Sequence, residues 1–225
     1  LQRWSVDNIA RGAARDRADL FNEVSSRRGN IGPVLVEKDF WVCWVLKRIF
    51  TMVSPPAGLI FKGGTSLSKV YGAIDRFSED VDLSFDRAAL GFGGANDPGN
   101  APSKKKADKR VGELAAACQK MIQDTFLPQL EAALAAALGV VAQAETWDIK
   151  LDPDDPDQQT LLFRYPAGIT IGEGLTSKYL RPVVRLELGA RGDQWPAEQA
   201  TIKSYAAEEI ATPFKEPTCD VKVLA

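Results

Sequence analysis

Asp80 and Asp82 stand two residues apart in the segment Asp80-Val-Asp-Leu-Ser-Phe85. On a strand that spacing aims both carboxylates at one face and Val81, Leu83 and Phe85 at the other. Two carboxylates about 7 Å apart along a strand, at roughly 3.3 Å rise per residue, repel each other unless cations lie between them. Magnesium suits such a place, because it prefers oxygen ligands and takes one or two carboxylates, with waters and substrate phosphates completing an octahedron. Paired ions about 3.5–4 Å apart can activate an attacking hydroxyl and stabilise a leaving pyrophosphate.

A phosphate cradle precedes the carboxylates. Gly63-Gly64-Thr65-Ser66 follows the apolar run Leu59-Ile60-Phe61 and precedes a helical spacing of Leu67, Val70, Tyr71 and Ile74, so the glycines sit at a strand-to-helix turn. Backbone N–H groups at the start of a helix have no internal partner and face a favourable dipole for an anion, and glycine lets a phosphate come close. The hydroxyls of Thr65 and Ser66 add donors, and Lys69, one helical turn past Ser66, is within reach of a phosphate oxygen. Arg76 reads equally as a nucleotide contact or as an ion pair with Asp75 or Glu79. A glycine pair alone is most often a tight turn, and Asp-x-Asp alone is usually a solvated edge. Together in one strand-turn-helix-strand unit they point to an NTP and a two-metal site. The turn is neither a P-loop nor a Rossmann fingerprint, since Gly-Lys-Ser/Thr and Gly-x-Gly-x-x-Gly are both absent.

Composition narrows the chemistry further. The chain has no histidine, which removes Ser-His-Asp and Cys-His hydrolases, histidine-ligated zinc and a histidine general base. Carboxylates, lysines, hydroxyls and bound metal must do the work. At 225 residues and 45% hydrophobic content the chain can bury a sizeable core as one domain. With 28 basic and 30 acidic residues there is no global charge for nucleic acid, so an RNA contact must be a local patch. Cys43, Cys118 and Cys219 are scattered and odd in number, against a disulfide framework or zinc site and for a reducing, cytoplasmic setting. No apolar run reaches the ~20 residues that a membrane helix needs.

The elements that must position these groups are legible in outline. Helical periodicity runs from Val6 to about Ser25 and from Val34 to Phe50, the latter with Phe40, Trp41, Trp44, Val45 and Ile49 on one apolar face. Those aromatics read as core rather than as a base-stacking platform. Pro55-Pro-Ala-Gly58 launches the strand at Leu59. After the carboxylate strand, Gly91 to Ser103 is a mobile loop by composition, closed by Lys104-Lys105-Lys106, a solvated helix start or a clamp for RNA or triphosphate. A long helix spans Ala107 to Leu138, kinked or broken at Pro128. Strands follow at Trp147–Leu151, Leu161–Tyr165 and Pro182–Leu188, with Asp152-Pro-Asp-Asp-Pro-Asp157 a solvated acidic turn.

Phe61-Lys-Gly-Gly-Thr-Ser-Leu-Ser-Lys69 with Arg76-Phe-Ser-Glu-Asp-Val-Asp-Leu83 resembles the nucleotidyltransferase toxins of the AbiEii/AbiGii group, in the DNA polymerase β-like superfamily. Glu37-Lys-Asp-Phe-Trp-Val-Cys-Trp-Val-Leu46 and Arg181-Pro-Val-Val-Arg-Leu-Glu-Leu-Gly-Ala-Arg191 extend the likeness over most of residues 30–225. The resemblance implies an α+β polymerase β-like core, a mixed sheet flanked by helices, with N-terminal helices and a long helical insertion after the Asp-x-Asp strand. It implies nucleotide transfer from an NTP to RNA such as a tRNA 3′ end, within a toxin–antitoxin pair or a phage-defence system. It also implies a third carboxylate on a strand beside Asp80 and Asp82. Glu187, which shares a face with Arg185 opposite Val184, Leu186 and Leu188, is the acidic residue there. Relatives continue past a segment like Asp220-Val-Lys-Val-Leu224 into a helix carrying a further Lys and Asp, so residues 1–225 are expected to form one nucleotidyltransferase domain lacking its C-terminal helical region. Two alternatives stay open: transfer to a small molecule, as in antibiotic-modifying nucleotidyltransferases, and a non-catalytic nucleotide- or RNA-binding module.

Overall fold

The computed structural model describes residues 4–52, 58–74, 78, 80–139, 147–170, 181–210 and 214–225. In chain order its strands and helices are β1 (Trp4–Ser5), α1 (Val6–Arg11), α2 (Ala14–Arg28), α3 (Pro33–Thr51), β2 (Ile60–Lys62), α4 (Gly63–Lys69), β3 (Asp80–Ser84), α5 (Lys104–Met121), α6 (Leu127–Leu138), β4 (Asp148–Leu151), β5 (Thr160–Arg164), β6 (Val183–Gly189), β7 (Ala197–Lys203), α7 (Tyr205–Glu209), β8 (Phe214–Lys215) and β9 (Thr218–Leu224). Among the described residues one mixed sheet has the order β4-β5-β6-β3-β2-β9-β7. Parallel pairs join β3 to β6 and β2 to β9, and the remaining neighbours run antiparallel. The fold is α+β.

Helix α3 is buried along most of its length. Pro33 opens it where a missing N–H costs nothing, and apolar residues run almost all round it, the mark of a helix enclosed by protein. Trp41 stacks on Tyr165 at 5.4 Å and 15°, and Trp44 on Phe163 at 6.1 Å and 21°. These rings are core, with Trp41 0% and Trp44 2% exposed. Val81, Leu83, Leu161, Phe163, Val184, Leu186, Val221 and Val223 join them from the sheet. Cys43, Cys118 and Cys219 are free and buried.

Several expectations are corrected. The first predicted helix is two, α1 and α2, because Gly12 leaves the helical region and its N–H returns to the Ile9 carbonyl. Helix α4 ends at Lys69, so Leu67 and Tyr71 do not form an apolar face and lie 45% and 40% exposed. The segment expected to be a mobile loop folds as three short helical turns, Ala88–Phe92, Gly94–Asn96 and Pro98–Asn100, tied down by Arg87 to Asp97 at 2.9 Å and by Arg110 to the Asp97 carbonyl at 3.0 Å. The long helix widens to a π turn at Ile122–Phe126, just before Pro128, whose ring cannot donate to the preceding turn. Pro55, Pro56 and Ala57 lie outside the described residues. No described helix is long and apolar enough to cross a membrane.

Candidate active site

Strand β3 lies between β2 and β6, and the register sets its carboxylates in a row. Lys62 on β2 pairs with Asp82, Asp82 pairs with Glu187 on β6, and Glu187 pairs with Thr160 on β5. One step along, Asp80 pairs with Arg185. Alternation sends Val81, Leu83, Val184, Leu186 and Leu188 into the core. Asp80 and Glu187 therefore share the accessible face with Asp82, their side chains 43% and 44% exposed. The structure brings Asp80, Asp82 and Glu187 together from segments about 100 residues apart.

Gly63 touches this row directly. Its φ is +74°, and a Cβ there would lie 1.9 Å from Asp82 Oδ2 and 2.4 Å from Asp82 Cγ. Only glycine fits both the backbone and the carboxylate packed against it. The strand-to-helix turn after β2 therefore seats Asp82.

Arg185 stands among the carboxylates. Its Nη1 donates to Asp152 Oδ2 at 2.8 Å, while Nε lies 3.6 Å from Asp80 Oδ1 and Nη2 3.5 Å from Glu187 Oε1. Burial acts to lower the guanidinium's pKa, and the three carboxylates outweigh it, so the net direction is upward. Asp152 is 5% exposed, so the acidic turn is not wholly solvated as expected: its first residue is buried and anchors Arg185. Asp82 is pushed above the ordinary carboxylate range, by burial first and then by Glu187 and Asp80, against the pull of Lys62.

Such crowding is relieved by a divalent cation. The donors are hard carboxylate oxygens, and the buried Asp80 Oδ1 has no hydrogen-bond partner among the described residues. No group of three His, Cys, Asp or Glu among the described residues forms a ready-made cage. An ion held here takes the rest of its shell from water or substrate, the habit of magnesium. By donor chemistry, and by an Asp80 Oδ1 that accepts no hydrogen bond among the described residues and meets only the longer ion pair with Arg185, the residues present fit such an ion.

The phosphate-side expectations fare differently residue by residue. Gly64 opens α4 beside Gly63, in a helix of seven residues. Thr65 is 1% exposed and its hydroxyl donates to the carbonyls of Ser78 and Asp80, so it stitches α4 to β3 rather than facing a ligand. Ser66 is buried at 3% exposure. Lys69 points away from the carboxylates: its ammonium, 7% exposed, pairs with the fully buried Asp39, donates to the Lys203 carbonyl at 3.2 Å and lies 3.7 Å from the centre of the Tyr205 ring. Burial acts to lower the Lys69 pKa, yet the Asp39 carboxylate holds it raised. Arg76, with Asp75 and Glu79, lies outside the described residues. Lys62, Arg185 and Asp152 are the members that spacing did not assign. Lys62 adjoins Gly63 in sequence, but its position opposite Asp82 exists only once β2 and β3 pair.

A family model described as "Nucleotidyl transferase AbiEii toxin, Type IV TA system" matches residues 44–225. No curated protein sequence matches the chain. Among solved structures the chain is similar to MenT4, a nucleotidyltransferase toxin from Mycobacterium tuberculosis H37Rv, at 19% identity and a TM-score of 0.41, covering 91% of this chain and 54% of that one. The chain thus spans about half the length of that protein.

Proposed function

This chain belongs to the AbiEii family of nucleotidyltransferase toxins of type IV toxin–antitoxin systems, and from that premise we propose that it transfers a nucleotide from an NTP to an RNA acceptor, a tRNA 3′ end being one candidate. The observation that carries the reading is the register of β3 against β6, which sets Asp82 beside Glu187 with Gly63 closed over the Asp82 carboxylate.

Asp80 and Asp82 would hold divalent cations, magnesium by donor chemistry, with Glu187 as a third oxygen donor. When bound, such ions supply charge stabilisation at the reacting phosphate and lower the pKa of an oxygen nucleophile. The acceptor hydroxyl oxygen forms a bond to the α-phosphorus. The bond from that phosphorus to the α–β bridging oxygen breaks, and pyrophosphate leaves with the electron pair. Glu187 is exposed enough to orient the acceptor hydroxyl and take its proton on a carboxylate oxygen. Arg185, anchored on the buried Asp152, lies between Asp80 and Glu187 and draws their carboxylates together before substrate arrives. This reading gives the triphosphate the backbone N–H groups at Gly63 and Gly64, while the space beside the Gly63 Cα is taken by the Asp82 carboxylate.

The reading treats residues 1–225 as a single nucleotidyltransferase domain, working in the cytoplasm, where NTPs and RNA occur, opposite a cognate antitoxin. Its test is to incubate the protein with each α-labelled NTP, magnesium and total RNA. Label on RNA in the wild type, lost in Asp82→Asn, is the expected result. Label on a small acceptor instead would favour the antibiotic-modifying class. Tight NTP binding without pyrophosphate release would favour a binding module.

A further inference from the structure

We propose that Lys62, with the buried hydroxyl of Ser84, forms an anion corner beside the carboxylate row that takes the β- and γ-phosphates of the substrate and holds the pyrophosphate as it leaves. The inference rests on the nucleotidyltransferase reading and assigns the cation that reading lacks.

Three observations meet at this corner. First, the lysine that spacing favours is committed elsewhere, since Lys69 is buried against Asp39 behind α4. Second, Lys62 is half-buried and stands in register with Asp82. Among the described residues no hydrogen bond or ion pair holds its ammonium. Third, Ser84 lies on the same face as Asp80 and Asp82, two residues on, and its hydroxyl is buried with no hydrogen-bond partner among the described residues. An orphaned buried hydroxyl is costly unless something satisfies it in the working state.

Gly192, in the turn after β6, shows that the groups converge. A Cβ on Gly192 would lie 3.9 Å from Lys62 Nζ and 4.0 Å from Ser84 Oγ. The ammonium, the hydroxyl and an open glycine wall thus share one corner at the edge of the row that holds Asp82. An ammonium and a hydroxyl donor are the groups that recognise phosphate oxygens. The adjacent carboxylates repel a bare phosphate, so the corner works only with cations on Asp80 and Asp82, which makes phosphate binding metal-dependent.

The test is equilibrium dialysis of the full chain with labelled inorganic pyrophosphate, with and without magnesium, for the wild type and for Lys62→Met, Lys62→Arg and Ser84→Ala. Magnesium-dependent binding is expected in the wild type. Loss of a charged hydrogen bond should weaken it roughly 10- to 100-fold in Lys62→Met. Lys62→Arg, which keeps the charge, should stay within about tenfold of wild type. Ser84→Ala should lose about 2- to 10-fold while its melting temperature holds or rises, because an unsatisfied buried hydroxyl has gone. Wild-type affinity in Lys62→Met, or no pyrophosphate binding by the wild type, overturns the assignment. If Lys62→Met does not fold, the Ser84→Ala result decides by itself. The transfer assay separates the two readings. A wild type that labels RNA while Lys62→Met binds pyrophosphate normally defeats the anion corner alone. Lys62-dependent binding by a wild type that labels nothing defeats the transfer reaction and leaves the corner standing.

Discussion

Gly63→Ala is the sharpest probe of how the turn and the carboxylates cooperate. The new methyl would sit 1.9 Å from Asp82 Oδ2, so the carboxylate must retreat by roughly 1.5 Å to regain ordinary contact at about 3.5 Å. A misplacement of about 1 Å at a reacting centre can cost on the order of 100-fold in rate. The left-handed φ of +74° adds about 1–2 kcal/mol of backbone strain for a residue with a side chain. In a chain of this size that corresponds to a melting temperature lower by roughly 2–8 °C. Gly72→Ala is the matched control, because Gly72 has φ +57° but nothing within 4 Å of the added methyl. Both variants should lose stability to the left-handed backbone, Gly63→Ala the more because its methyl also overlaps Asp82 Cγ and Cβ, and only Gly63→Ala should lose nucleotide transfer, by about 100-fold or more. Initial rates of label incorporation alongside thermal melts measure this. Equal activity losses in the two variants, or wild-type transfer in Gly63→Ala, would refute the claim that this glycine seats Asp82.

Asp80→Asn and Asp82→Asn should each abolish transfer without unfolding the protein, as measured by incorporated label and circular dichroism; wild-type turnover in either would sink the metal assignment. Because burial and neighbouring carboxylates raise the pKa of Asp82, its contribution to stability is full below its ordinary value of 3.8 and is lost as pH rises through the higher folded value. In EDTA, Asp82→Asn should therefore gain in melting temperature relative to wild type on going from pH 4 to pH 7, and a flat difference would contradict the crowding. Lys69→Met leaves Asp39 buried and unpaired, which should cost about 3–5 kcal/mol in urea unfolding, and adding Asp39→Asn should restore much of it. A Lys69→Met protein as stable as wild type would show that the pair is not structural. Chelation should stop transfer and added magnesium restore it.

What was legible along the chain was local. Alternation in Val183–Gly189 and in Asp80–Ser84 identified two half-buried strands, and each placed its charged residues on one face. The apolar face of α3 was equally plain. Strand β7 was not, since Ala197–Lys203 buries only Ile202 deeply and carries little alternation. Asp220–Leu224 stands out along the chain as a segment, but its place in β9 beside β2 depends on chain closure over long distances. The helical period of Leu67, Val70, Tyr71 and Ile74 runs past the end of α4, which stops at Lys69, and the Tyr71 hydroxyl instead donates to the Leu224 carbonyl at 2.8 Å.

The sequence by itself determined which chemistry is open to this protein. A chain without histidine, with two aspartates at strand spacing behind a glycine turn, is confined to carboxylates, metal and phosphate. Those facts follow from residue types and from the two-residue period of a strand, both fixed by covalent structure. Only the tertiary structure decided who stands beside whom. Glu187 meets Asp82 because β6 packs in parallel against β3, and the buried Asp152 meets Arg185 only once the turn after β4 folds back beside β6. The two lysines divide by the same rule. Lys69, one turn along a helix, is drawn down to Asp39 on α3, while Lys62 is left facing the carboxylates, because strand order and helix docking are set by burial across the whole chain rather than by spacing along it.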